Sequence, residues 1–118
     1  MNTQIYKNQL QDTVVIPMTE FMKDCDDCGF TQKDIAKCEA LILEYLVALE
    51  GITEPDNKEI MKHVKKLVLA LNKLNEKTDY SLIETMEREA IWEIIQNSAI
   101  ECGLSDPEDD ITEEWREW

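Results

Sequence analysis

Three long stretches of this chain repeat apolar residues at steps of three and four, and each is bracketed by helix start and stop residues, which commits most of the chain to helices. In the first, Thr31 stands three residues before Asp34 as a capping pair. Ile35, Cys38, Ile42, Tyr45, Leu46 and Leu49 then recur until Gly51, predicting a helix over 32–50. Leu41, Leu43 and Val47 widen its apolar face beyond one stripe, the pattern of a central helix contacted from more than one side. The second stretch opens at Thr53, Glu54, Pro55 and Asp56, with proline suited to a first helical position. It continues through Ile60, Val64, Leu67, Val68, Leu71 and Leu74 to about Lys77. The third opens at Ser81, with Glu84 as its capping-box partner, and carries Ile83, Ala90, Ile91, Ile94, Ile95, Ala99 and Cys102 to Gly103.

Ahead of these, Pro17 to about Asp27 reads as a short helix containing Met18, Phe21 and Met22, broken by Cys28, Gly29 and Phe30. Thr13, Val14, Val15 and Ile16 are strand-like in their β-branching but have no second run to pair with, so they read as an extended arm on the helices. The expected architecture is a single all-α domain over 1–118. It is a compact bundle of about four helices, 18–27, 32–50, 55–77 and 81–103, with a C-terminal segment packed across it.

Charge bounds the partners. With 26 acidic against 12 basic residues, a formal charge of -14, the surface repels duplex nucleic acid and suits a basic protein partner. The polar start lacks a secretory signal pattern, and the apolar run Ala40 to Leu49, interrupted by Glu44, is half the length of a spanning helix. A cytoplasmic protein with no membrane partner is expected, its four cysteines kept as free thiols.

The side-chain groups that invite a function are few. At about 100° per residue, Glu84, Glu87 and Arg88 fall on the same side of their helix as Ile91, Ile95, Ser98 and Cys102. They are either a partly buried polar pair or partner-binding site, or a first pair of turns projecting into water. On the second helix Lys62, Lys66, Lys73 and Lys77 line the side away from the apolar seam, with Leu69 among them. This is a solvated face or a contact surface, and the acidic 101–118 is an internal partner for the lysines. Trp115 and Trp118, in a polar ending, either cap the core or anchor a partner. Cys25 and Cys28 form a lone CxxC. Zinc would need Cys38 and His63 as well, but Cys38 and Cys102 fall on apolar faces and no second close pair exists, so no metal or cofactor is expected. His63 sits at the edge of its apolar face without a nucleophile to serve, and neither a phosphate loop nor a differentiated pair of acids is present.

Ser81, Ile83, Glu84, Thr85, Arg88, Glu89, Ala90, Ile91, Ala99 and Gly103 form a pattern in 81–104 that resembles a family of small acidic helical bacterial proteins of unassigned function. The resemblance departs at the CxxC. It implies a helical fold and a bacterial setting, supplies no activity, and also picks out Glu84 and Arg88. The expectation for function is a non-enzymatic, acidic protein-binding domain, of the kind that serves as an immunity or antitoxin-like inhibitor of a basic partner. The alternatives are a self-associating helical subunit or adaptor, and a small metal- or thiol-dependent enzyme at Cys25 and Cys28.

Overall fold

In the computed structural model the backbone of all 118 residues is described, and every side chain except that of Thr85. The elements are α1 (Thr3–Leu10), a π-helical turn (Gln11–Val15), α2 (Ile16–Asp24), α3 (Gln32–Glu50), α4 (Asn57–Lys77) and α5 (Thr85–Cys102). No strand occurs among the described residues, and the helices form the expected all-α bundle.

The expected extended arm is not there: α1, the π turn and α2 run on as one helical rod. Proline at 17 has no N–H to donate four residues back and its ring crowds the carbonyl there, which would normally break a helix. The chain widens just before it instead, and the Ile16 N–H reaches back five residues to the Gln11 carbonyl. The Thr13 and Thr19 hydroxyls bond the carbonyls of Gln9 and Val15, at 2.7 and 2.8 Å, along the same stretch. Tyr6, Leu10, Val14 and Met18 form the buried seam of the rod, so the β-branched run serves a helix because its core side is apolar at helical spacing. The start of the rod is tied down by the Tyr6 hydroxyl donating to Glu101 and the Thr3 hydroxyl donating to Glu50.

Helix α3 is the centre of the bundle and packs against α1, α2, α4 and α5. Its buried side is Ile35, Cys38, Ile42, Tyr45, Leu46 and Leu49, whereas Val47 is 60% exposed, so the apolar face is narrower than its sequence suggests. The Tyr45 hydroxyl donates to the Ile95 carbonyl at 3.0 Å, which locks α3 to α5 through a satisfied buried polar group. The capping box at Thr31 and Asp34 forms, with the Thr31 N–H donating to Asp34 Oδ2 at 2.9 Å and Lys77 Nζ at 3.4 Å from Asp34 Oδ1. Burial works to raise the Asp34 carboxyl, but the Thr31 bonds and Lys77 outweigh it and hold the group below the usual carboxylate range. A depressed carboxylate contributes stability above its unfolded pKa, which is lost as pH falls through its folded one. Asp34→Ala is therefore expected to cost about 1–2 kcal/mol at neutral pH. The gap to the parent should close in acid, as read by urea midpoints across the two conditions.

Two helix starts differ from expectation. Helix α4 begins at Asn57, where the Asp56 side chain accepts the Glu59 N–H at 2.8 Å, so Asp56 and not the residue before Pro55 is the cap. Helix α5 begins at Thr85, four residues after Ser81. The amides that Ser81 and Glu84 would have organised are taken at the end of α4: Ser81 N–H donates to the Thr78 carbonyl at 3.2 Å and Ile83 N–H to Asn75 Oδ1 at 3.0 Å, with the Leu82 N–H between them on Thr78 Oγ1 at 3.3 Å. Those bonds hold 81–84 out of the helix and bury Leu82 and Ile83. After Gly103, at a φ of 129° that favours glycine, residues 105–118 cross the bundle.

Candidate functional site

The late start of α5 separates the three charged residues that its sequence places together. Glu84 is the exposed N-cap, and its carbonyl accepts the Arg88 N–H at 2.8 Å. Its carboxylate forms no ion pair with Arg88 among the described residues, so the partly buried pair is corrected to two independent groups. Leu82 and Ile83, just ahead of the helix, are buried instead.

Glu84 and Glu87 instead border a groove of about 470 Å³, walled by Phe21, Phe30, Leu82 and Met86. Phe21 stacks on Phe30 with ring centroids 6.1 Å apart and planes 15° from parallel, which extends the core outward from α2. Phe30 and Leu82 are buried floor, while Phe21 is 49% and Met86 82% exposed. The two sides are drawn together at Gly29, which takes a φ of 89°. A Cβ built there would lie 2.8 Å from the Ser81 Cβ, so only glycine lets the 25–30 loop approach the 78–84 turn this closely. The turn has its own constraint, with Asp79 and Tyr80 both at positive φ and the Tyr80 N–H bonded to the Asn75 carbonyl at 2.7 Å. Sequence reasoning missed this groove. Phe21 and Met86 were visible as apolar residues, but nothing in their spacing says that they lack a neighbour to cover them.

Arg88 faces a second cavity, with Glu89, Trp92, Glu93 and Arg116. Three lysines of the stripe find partners on their own helix or on α3, Lys62 with Glu59 at 3.6 Å, Lys66 with Glu44 at 3.8 Å, and Lys77 with Asp34, while Lys73 pairs with no carboxylate among the described residues. The acidic ending does not supply these partners, which corrects that expectation. Its Asp110 pairs internally with Arg116 at 2.8 Å, and its contact with the lysines is Lys65 Nζ lying 5.9 Å from the Trp115 ring centre. Trp115 and Trp118 pack against the core while remaining half-buried, and Leu69 is 40% exposed on the lysine face.

The thiols are dispersed. Cys38 is sealed in the core, where burial, with Glu39 adding to it, pushes its pKa up to about 12. Cys102 packs at the edge of the core with its thiol raised by burial, and Cys25 and Cys28 lie half-exposed after α2, with Cys28 Sγ 3.2 Å from the Phe30 carbonyl oxygen. His63 is 3.5 Å from Glu59 and borders a small cleft of about 90 Å³ with Tyr45, Ala48 and Leu67. Among the described residues no three histidine, cysteine or acidic side chains gather as a metal-holding group. No helix is long and apolar enough to cross a membrane. Comparison with family models, with curated proteins and with solved structures returns no match.

Proposed function

We propose that this protein is a non-enzymatic binding domain that receives a basic, partly apolar segment of another protein in the groove between Phe21 and Met86. The observation that carries the reading is the pairing of a solvent-open apolar wall with Glu84 and Glu87 at its edge, on a chain of net charge -14. Apolar side chains of the partner would cover Phe21 and Met86, and flanking lysines or arginines would meet the two carboxylates. The long-range field attracts such a segment before contact and repels acidic competitors. A second copy of the chain is a poor occupant, because bringing two surfaces of this charge together opposes association. An immunity or antitoxin-like inhibitor, which neutralises a basic effector by occupying its functional surface, is the biological form that this profile suits best. A bacterial setting would follow from the same reading.

The test uses a fluorescein-labelled helical peptide of leucine and lysine, with a leucine and glutamate peptide as control. Binding of the basic peptide should weaken by about tenfold in Phe21→Ala or Met86→Ala, neither of which changes net charge. It should also weaken with salt. Equal affinity for the parent and both variants would assign the attraction to diffuse charge and remove the groove from the mechanism.

A further inference from the structure

The chain contains two arginines, Arg88 and Arg116, against 26 carboxylates, and the fold brings both to one cavity of about 380 Å³. Arg88 comes from the first turn of α5, and Arg116 from the C-terminal segment that doubles back across it. Arg116 is held in place through Nη1, 2.8 Å from Asp110 Oδ2 and 3.4 Å from Thr112 Oγ1, with its guanidinium carbon 5.4 Å from the centre of the Trp118 ring. A guanidinium has five N–H donors, so these contacts leave Nη2 and Nε of Arg116 available. Arg88 has no carboxylate at ion-pair distance among the described residues.

The cavity is also lined by Trp92, whose Nε1 is closed off from solvent, so a ligand there meets the exposed part of the indole ring and not its N–H. Two guanidinium groups supply donors for an anion, and Glu89 and Glu93, which line the same cavity, lie at ion-pair distance from neither of them. The indole ring adds an apolar wall.

We propose that this cavity binds a monocarboxylate carried on an apolar or aromatic body, with Arg88 and Arg116 on the carboxylate and the Trp92 ring against the body. A single negative charge fits better than a phosphate dianion, because Glu89 and Glu93 stand at the same cavity and the whole chain repels anions in proportion to their charge. The planar carboxylate also matches the fork of a guanidinium. The volume falls in the range of small-ligand sites, about 300–1,000 Å³. Such a carboxylate comes either as a small free acid or as the end of a peptide chain. This site is separate from the Phe21 and Met86 groove and does not depend on it.

The experiment follows the three indole N–H signals of the ¹⁵N-labelled full chain, assigned with Trp92→Phe, during titration with phenylacetate. The expected result is a saturable shift of the Trp92 signal in the millimolar range, none with phenylacetamide, and a weaker response to inorganic phosphate at matched ionic strength. Arg88→Gln should weaken phenylacetate binding by about tenfold or more while leaving the rest of the spectrum, and hence the fold, in place. An N-acetylated tripeptide ending in phenylalanine identifies the source: tighter binding than phenylacetate indicates a chain terminus, and equal or weaker binding a free acid. No saturable shift up to about 50 mM, an equal shift with the amide, or an unchanged affinity in Arg88→Gln would each overturn the proposal.

Discussion

Replacing both Asn72 and Gln96 by alanine is expected to release residues 105–118 from the bundle and lower stability by about 2–4 kcal/mol. The two side chains are buried amides on different helices, and each grips the crossing segment at both its donor and its acceptor. Asn72 Nδ2 donates to the Trp115 carbonyl at 2.7 Å and its Oδ1 accepts the Glu117 N–H at 3.0 Å. Gln96 Nε2 donates to the Glu108 carbonyl at 3.0 Å and its Oε1 accepts the Ile111 N–H at 3.1 Å. A net worth of about 0.5–1 kcal/mol per bond, the lower part of the usual range, places the four together at about 2–4 kcal/mol. Ile111 and Thr112 of the segment are buried and its Trp115 packs on the core, so release also exposes apolar surface.

A chain of this size loses several degrees of Tm per kcal/mol, so the double variant should melt about 10–20 °C below the parent, with its tryptophan emission shifted to the red before the global transition. Each single variant should lose less than half of the total, because the remaining clamp keeps the segment in register and the two losses couple through it. A double variant that melts like the parent would show that the indoles and Ile111 hold the segment by packing alone. The carboxylate site would then have a different dependence as well, since Arg116 is brought to α5 by this same crossing.

The helices were legible because their signals are local. Thr31 and Asp34 cap α3 as their spacing implies, and the apolar residues from Ile35 to Leu49 take the buried side of that helix. Failures occurred where a distant residue competed for the same backbone group. Ser81 and Glu84 have the composition of a capping box, but Asn75 and Thr78, already fixed in and just after α4, accept the Ile83 and Leu82 amides first. No window along the chain contains that competition, because Asn75 reads as an ordinary polar residue near a helix end. The run from Thr13 to Ile16 failed differently. Its β-branching suggested an extended arm, whereas burial of Val14 in line with Leu10 and Met18 favoured a helix that absorbs Pro17 with one wide turn.

The candidate sites were legible in their parts and not in their assembly. Glu84, Glu87 and Arg88 are adjacent on a helical wheel, yet the groove takes the first two and the second cavity takes Arg88. The two arginines lie 28 positions apart in sequence, and their convergence depends on the crossing of 105–118 that Asn72 and Gln96 fix. Exposure of Phe21 and Met86 is a property of what does not pack on them, and periodicity is silent about it.

Alkaline pH should destabilise the protein steeply, and Cys38 should be the largest single cause. Its thiol, fully buried on α3, is pushed from 9.0 up to about 12 by burial, with the Glu39 charge adding to it. The Tyr6 hydroxyl rises from 10.0 to about 12, again chiefly by burial and then through its bond to Glu101 and that carboxylate's charge. Burial raises Tyr45 too, against the opposing bond from Ser98. All three groups are neutral when protonated, so above its unfolded pKa each is protonated in the folded chain and ionised in the unfolded one. Their stability contribution is complete below about pH 9 and is lost as pH rises toward their folded values.

For Cys38 alone, three pH units at about 1.4 kcal/mol each give a loss on the order of 4 kcal/mol by pH 12. Cys38→Ala removes that titration at the expense of a small cavity, about 1–2 kcal/mol at neutral pH. The urea midpoints of parent and variant should therefore approach one another and cross between about pH 9.5 and 10.5, with the parent more stable below the crossing. Midpoints that stay parallel through this range would mean that the Cys38 thiolate is accommodated in the folded chain. The thiol would then react with disulfide reagents without unfolding, whereas a core that excludes the thiolate allows reaction only at the rate of opening.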